Sequence, residues 1–229
     1  MRLPIITAVV IALAVFGIVV VDRLPPQHSP FATFDPRRPI GWATAWQLGR
    51  LKSDPEGCGA LLERAGVQVE PIPDSREDTF CGFRGAVAVE RSSIPWSQAP
   101  LHVSCPLAAA LALWERRVVI PAAEQHLGSR VIRIDHFGTY ACRRVAGARS
   151  GRPSQHATAN AIDVAAFHFR DGRQIAVRAQ WRRDTAEAAF LRAVRDGSCR
   201  IFAAVLSPDY NAAHADHFHL DMGPYSICR

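Results

Sequence analysis

Apolar residues fall along this chain in three patterns, and each predicts a different kind of element. The first is an unbroken run: residues 3–21 carry no charged side chain. As a helix rising about 1.5 Å per residue, the run spans about 28 Å, the thickness of a bilayer's hydrocarbon core. It predicts an N-terminal transmembrane helix within residues 1–24. The run ends in Val20, Val21, Asp22 and Arg23 with no small-x-small cleavage site, which favours an uncleaved anchor over a signal peptide. The second pattern is helical spacing. It predicts short helices over residues 42–51 and 58–65, and a long Ala- and Leu-rich helix over 106–126 that Pro121 should kink or interrupt. A further helix is predicted over 184–195, closed by Gly197. The third pattern is alternation, at residues 67–72, 85–89, 131–135, 161–169 and 218–222. An apolar strand is predicted at 200–206, and a hairpin turn at Asp171 and Gly172 leads into 174–177.

Helices and strands are mixed without regular βαβ alternation, so the chain reads as α+β, a small antiparallel-rich sheet with flanking helices. Pro25, Pro26, Pro30, Pro36 and Pro39 block helix and sheet ladders and predict an extended linker, residues 25–40, between anchor and body. Residues 41–104 hold no catalytic constellation and read as an extension packed on the core. Residues 105–229 form the domain that carries the chemistry.

Composition narrows the setting. With 48% hydrophobic and 21% charged residues, the chain has the makings of a folded core and not of a disordered segment. The formal charge of +6 comes almost wholly from arginine, Lys52 being the only lysine. No arginine run exceeds two residues, so no stripe for nucleic acid is present. An acidic polymer such as a cell wall stays compatible with the charge. The six cysteines (Cys58, Cys81, Cys105, Cys142, Cys199 and Cys228) are widely spaced without a CxxC pair. Behind an exporting segment they read as disulfides in an oxidising compartment, with the pairing open. The soluble body is therefore expected in the periplasm or otherwise outside the cytoplasm, held to the inner membrane through residues 3–21.

Two stretches concentrate reactive side chains. Ser154, His156 and Asp163 lie in the first, and His214, Asp216, His217, His219 and Asp221 in the second. In a strand, His217, His219 and Asp221 share one face while Phe218, Leu220 and Met222 take the other. The small residues Ala157, Ala159 and Ala161 allow a tight turn that brings His156 and Asp163 to one point. Imidazole and carboxylate are the donors a borderline metal such as zinc prefers when no thiolate takes part. Three protein ligands would leave a fourth position open, as catalytic zinc requires.

These residues carry a resemblance. Ser154, His156, Ala159, Ala161 and Asp163 stand at the spacing of the SxHxxGxAxD signature of zinc peptidases that cleave D-alanyl bonds in peptidoglycan, with Ala159 where those families carry Gly. His214, His217 and His219 resemble the HxxHxH end of the penicillin-insensitive murein endopeptidases. Residues 105–229, with Tyr140, Cys142 and Arg143, resemble more closely the bacterial extensin-like C-terminal domain family. The resemblance implies a fold like that of the zinc D-Ala-D-Ala peptidases, with Zn2+ held by His156, Asp163 and His219. It places His217 beside the metal and implies Asp216 or His214 as general base. Arg143 would polarise the scissile carbonyl or bind a substrate carboxylate. Ser154 would position the loop or bind substrate, and Asp221 would orient a histidine ring. The expected function is a zinc-dependent peptidoglycan peptidase acting on peptide stems. The alternative, from another class, is a wall-binding or scaffolding domain that keeps the metal-site fold without turnover.

Overall fold

In the computed structural model, residues 6–8, 10–13, 17, 21 and 23–229 are described. About half of the predicted anchor, residues 3–21, lies outside them. No helix of the described residues is long and apolar enough to cross a membrane.

After a 3-10 turn (Pro26–His28) come α1 (Thr44–Arg50) and α2 (Pro55–Arg64). Asp54 starts α2 by accepting a hydrogen bond from the Gly57 N–H. A three-stranded antiparallel sheet follows, built from β1 (Gln68–Pro71), β4 (Ala86–Arg91) and β5 (Leu101–Ser104) in the order β1-β4-β5. A small hairpin of β2 (Ser75–Arg76) and β3 (Gly82–Phe83) is inserted in it. Ser104 caps α3 (Cys105–Trp114), with Pro106 in the first turn where its missing N–H costs nothing. A π-helical turn (Glu115–Val119) joins α3 to α4 (Ile120–Leu127). This turn is the interruption predicted at Pro121. The proline ring would meet the carbonyl four residues earlier, so the helix widens just before it, and the Ile120 N–H donates to the Glu115 carbonyl instead.

The second sheet contains β6 (Val131–His136), β7 (Ala161–Phe169), β8 (Gln174–Ala176), β9 (Ala204–Leu206), β10 (Phe218–Asp221) and β11 (Ile227–Cys228). Its order is β11-β9-β10-β7-β6 with β8 on β7, and every pairing except β9 with β11 is antiparallel. Helices α5 (Val177–Gln180) and α6 (Ala186–Ser198) join β8 to β9. The α+β class and the antiparallel sheets agree with the hydrophobic pattern. Two local readings are corrected. The strand predicted over 200–206 begins only at Ala204, because Arg200 and Ile201 are still turning out of α6. Gly197 does not close α6 but lies inside it.

All ten residues of α3 are buried. A helix apolar on every side has to be covered on every side. The small sheet and α2 cover one flank, and the large sheet and α6 the other. Trp114 marks the junction: its ring packs on Trp96, Phe167 and Phe202, and its Nε1–H donates to Ser198 Oγ at 2.7 Å. One continuous core joins Leu48, Leu62 and Val103 to Phe167, Phe190 and Phe218, so residues 41–104 share the core of residues 105–229. Three disulfides tie the periphery to it. Cys58–Cys105 links α2 to α3, Cys81–Cys142 links the hairpin to the loop after β6, and Cys199–Cys228 links α6 to β11. The proline-rich segment is also docked: Phe34 is buried, and Gln47 Nε2 donates to the carbonyls of Pro26 and Ser29.

Gly197 earns its place by close approach. A Cβ built there would overlap the Val118 side chain on the π turn, and β-branched Val118 has little freedom to move aside. Gly197→Ala should therefore lower stability by about 1–3 kcal/mol despite alanine's better helix propensity. Adding Val118→Ala should recover part of that loss, as read from thermal midpoints of the two variants.

Candidate metal centre

The site forms where β7 and β10 pair. Their register sets His219 directly opposite Asp163 and Asp221 opposite Ala161. Asp163 faces away from the core because Ile162 and Val164 face into it. Further along β7 the parity changes: Phe167 and Phe169 are the core residues, and Ala166 pairs Asp135 while Val164 pairs His136. The extra residue, Ala165, is a bulge, which lets a single strand serve both the site and the aromatic core.

His156 arrives on a 3-10 turn (Gln155–Thr158). Ser154 Oγ accepts from the His156 N–H at 3.3 Å and fixes the start of that turn. Ala159 ends it at φ 52° and ψ 30°. A Cβ in this left-handed conformation costs about 1–2 kcal/mol, which accounts for glycine at the matching place in the SxHxxGxAxD signature. The backbone of residues 137–141 then clasps the site. The Phe137 N–H donates to the Asp163 carbonyl (2.8 Å), and the Ala141 N–H to the His156 carbonyl (3.1 Å).

Three atoms converge. His156 Nε2 lies 3.1 Å from Asp163 Oδ1 and 3.2 Å from His219 Nδ1, and His219 Nδ1 lies 3.0 Å from Asp163 Oδ1. The far side of each ring decides what these atoms are. His156 Nδ1–H donates to the Thr139 carbonyl at 3.2 Å, and His219 Nε2–H to Asp221 Oδ2 at 3.0 Å. In the neutral rings both inward nitrogens are therefore lone pairs facing a carboxylate. Three acceptors at this distance repel unless a proton or a cation lies among them. Tetrahedral zinc with ligands at about 2.0–2.1 Å separates its donors by about 3.3 Å, so the triad fits such an ion with adjustments of a few tenths of an ångström. Among the described residues, His156, Asp163 and His219 are the group of this kind.

The electrostatics agree. Burial opposes ionisation of Asp163, but its contacts with the His156 and His219 rings outweigh it and hold the carboxyl far below the usual carboxylate range. Burial likewise disfavours a charged His219, yet its bonds to Asp163 and Asp221 push it up to about 9. Without a metal, the proton on His219 does the cation's work.

Around the triad opens a cavity of about 390 Å3 whose wall includes Arg143, Ser154, His214, His217 and Asp221. His217 Nδ1–H donates to Asp216 Oδ1 at 2.8 Å, which leaves Nε2 as an acceptor 3.5 Å from Asp163 Oδ1. Asp216 thus stands behind His217 and is not part of the wall. Asn211 Oδ1 accepts from the Ala213 N–H and so must also accept from His214 Nδ1–H, at 2.7 Å. Burial is the main influence that pulls His214 down to about 4, so it is neutral at pH 7. The structure therefore gathers Arg143, Ser154, Asp163, His214, His217 and His219 into one wall, with His156 buried behind Asp163 and His219 and Asp216 behind His217. It adds Gln155, Arg152, Tyr210 and Tyr225, with the Arg152 guanidinium 4.8 Å over the Tyr225 ring. No spacing in the sequence marks these four.

The family model described as Extensin-like protein C-terminus matches residues 56–229. The chain belongs to this family. The match begins well before residue 105, so the family unit of this extensin-like chain includes α2 and the small sheet. Neither the curated proteins nor the solved structures gave a match to it.

Two outcomes are expected of the triad. Because His219 is protonated up to about pH 9, a divalent cation must displace that proton. Affinity for Zn2+ or Co2+ should rise about tenfold per pH unit up to about pH 9 and then level off, with proton release on loading. Calorimetry in buffers of different ionisation heat reads both effects. Asp221→Ala, which frees the ring of His219, should weaken metal binding about 10–100-fold in a chelator competition.

Proposed function

We propose that this extensin-like protein is a zinc-dependent peptidase that hydrolyses peptide bonds in the stems of peptidoglycan, outside the cytoplasm. The observation that carries the proposal is the convergence of two imidazole nitrogens and an ionised carboxylate at an open cavity lined by Asp163 and His219. Two nitrogens and one oxygen form a donor set of catalytic and not structural type. His156, Asp163 and His219 would hold the ion, which supplies Lewis acidity toward a water or a carbonyl oxygen. The choice of peptidoglycan is supported by the likeness of Ser154, His156, Ala161 and Asp163 to the signature of D-alanyl zinc peptidases. The compartment is supported by three disulfides and by the apolar run at residues 3–21 as an inner-membrane anchor.

The chain's own groups divide the remaining work. His217, its Nδ1–H held by Asp216, presents Nε2 to the centre and takes the proton given up by the attacking water, later passing it to the leaving amine. The pairing with Asp216 stabilises the imidazolium formed in between. His214, neutral and fixed by Asn211, has its Nε2 free to accept from substrate or water. Arg143 is exposed on the cavity wall, where its planar fork suits a substrate carboxylate.

Incubation of the full chain with purified peptidoglycan, with and without chelator, should give chelator-sensitive new muropeptides. Binding to the wall with no change in muropeptide composition would instead make the protein a wall-binding domain. His217→Ala should reduce turnover about 10²–10⁴-fold while leaving one metal per chain, whereas His156→Ala should lose the metal as well.

A further inference from the structure

We propose that the exposed aromatic side chains of Trp42 and Trp46, with Phe31 on the segment clamped to the same helix, seat the body on an anionic phospholipid bilayer, so that it lies on the membrane and does not stand off on a flexible leash. This rests on reading residues 3–21 as a membrane anchor.

These three aromatic side chains are 77%, 65% and 64% exposed. Trp46 lies on the side of α1 that also exposes Gly49 and Arg50, and Trp42, four residues earlier, lies in the turn that leads into it. Thr44, Gln47 and Leu48 hold the opposite side on the body. A clamp ties the segment that carries Phe31 to α1. Arg50 Nη1–H donates to the Pro30 carbonyl (3.2 Å), and Gln47 Nε2 donates to Pro26 (2.8 Å) and Ser29 (2.7 Å). The Trp42 N–H donates to His28 Nδ1 at 3.3 Å, with the two rings stacked at 6.5 Å. Apart from the His28 ring stacked on Trp42, the clamp leaves these side chains largely exposed, where bulky apolar rings gain nothing from water.

Position and charge select the occupant. Pro26 in the clamp is five steps along the chain from Val21, the end of the apolar run. Fully extended, these steps reach no more than about 18 Å, so α1 stays close to wherever the run leaves the bilayer. Tryptophan and phenylalanine settle at the boundary between headgroups and acyl chains. Between residues 23 and 52 the chain carries Arg23, Arg37, Arg38, Arg50 and Lys52 against Asp35 alone, and Asp35 is paired with Arg37 at 3.0 Å. Anionic headgroups complement this excess of positive charge. A second copy of the same surface would be repelled by it.

Tryptophan fluorescence tests the seat directly, because Trp96, Trp114 and Trp181 are buried in the core. The full chain is reconstituted in phosphatidylglycerol-containing bilayers whose lipids carry bromine near the top of the acyl chains. Bromine should remove most of the emission contributed by Trp42 and Trp46, and the double variant Trp42→Phe/Trp46→Phe should be almost insensitive to it. Flotation of the same samples reports the anchor independently. A floating chain whose emission ignores bromine overturns the seat and leaves the anchor standing. A chain that stays in the aqueous phase overturns both. Protection of Trp42 and Trp46 that ignores bromine and is lost on dilution would assign the surface to a second copy, and it too overturns the proposal.

Discussion

The helix over residues 105–114 has no polar side, and the rest of the molecule is arranged by the need to cover it. An amphipathic helix can lie on one sheet with its other side in water. This one cannot, so a three-stranded sheet closes one flank and a six-stranded sheet the other, and a single core runs through both. Trp114 belongs to both halves, with Trp96 on one side and Phe167 and Phe202 on the other. The family match beginning at residue 56 has the same physical basis, since the carboxyl-terminal sheet alone would leave this helix half bare.

The candidate centre inherits its rigidity from that packing. Ile162, Val164, Phe218 and Leu220 are fully buried, and they alternate with Asp163, His217, His219 and Asp221 on paired strands. Moving a metal-facing residue would therefore mean moving a core residue. The outward hydrogen bonds, to the Thr139 carbonyl, to Asp221 and to Asp216, then select which ring nitrogen is a lone pair. Strand register supplies the distances and the outer partners supply the chemistry. The left-handed Ala159 is the strain this arrangement tolerates, because the turn it closes brings His156 over Asp163.

Much of the fold could be read from pattern. The strand over residues 161–169 has its predicted bounds, although the bulge at Ala165 breaks its alternation, and the helices at 44–50 and 55–64 fall within a few residues of their predicted places. Where reading failed, a distant contact had taken over. Gly197 looked like a helix stop, but its missing side chain makes room for Val118, which no local pattern reveals. Segment 25–40 looked like free spacer, since prolines prevent ladders. Its carbonyls are nonetheless held by Gln47 and Arg50, which lie well along the chain from the residues they bind.

The site was legible as a set of residue types. Histidine and aspartate at fixed spacing, among apolar neighbours, are costly to bury without a purpose, so their recurrence in two stretches was informative by itself. Periodicity also determined that His217, His219 and Asp221 share a face, because strand geometry is local. Tertiary structure alone decided the rest. Which cysteines pair, which ring nitrogens face inward, and that Asp216 backs His217 without entering the wall all depend on contacts between residues far apart or on the way a side chain turns. Local sequence encodes φ, ψ and the alternation of faces. The positions of the acceptors that set a tautomer are properties of the packed whole.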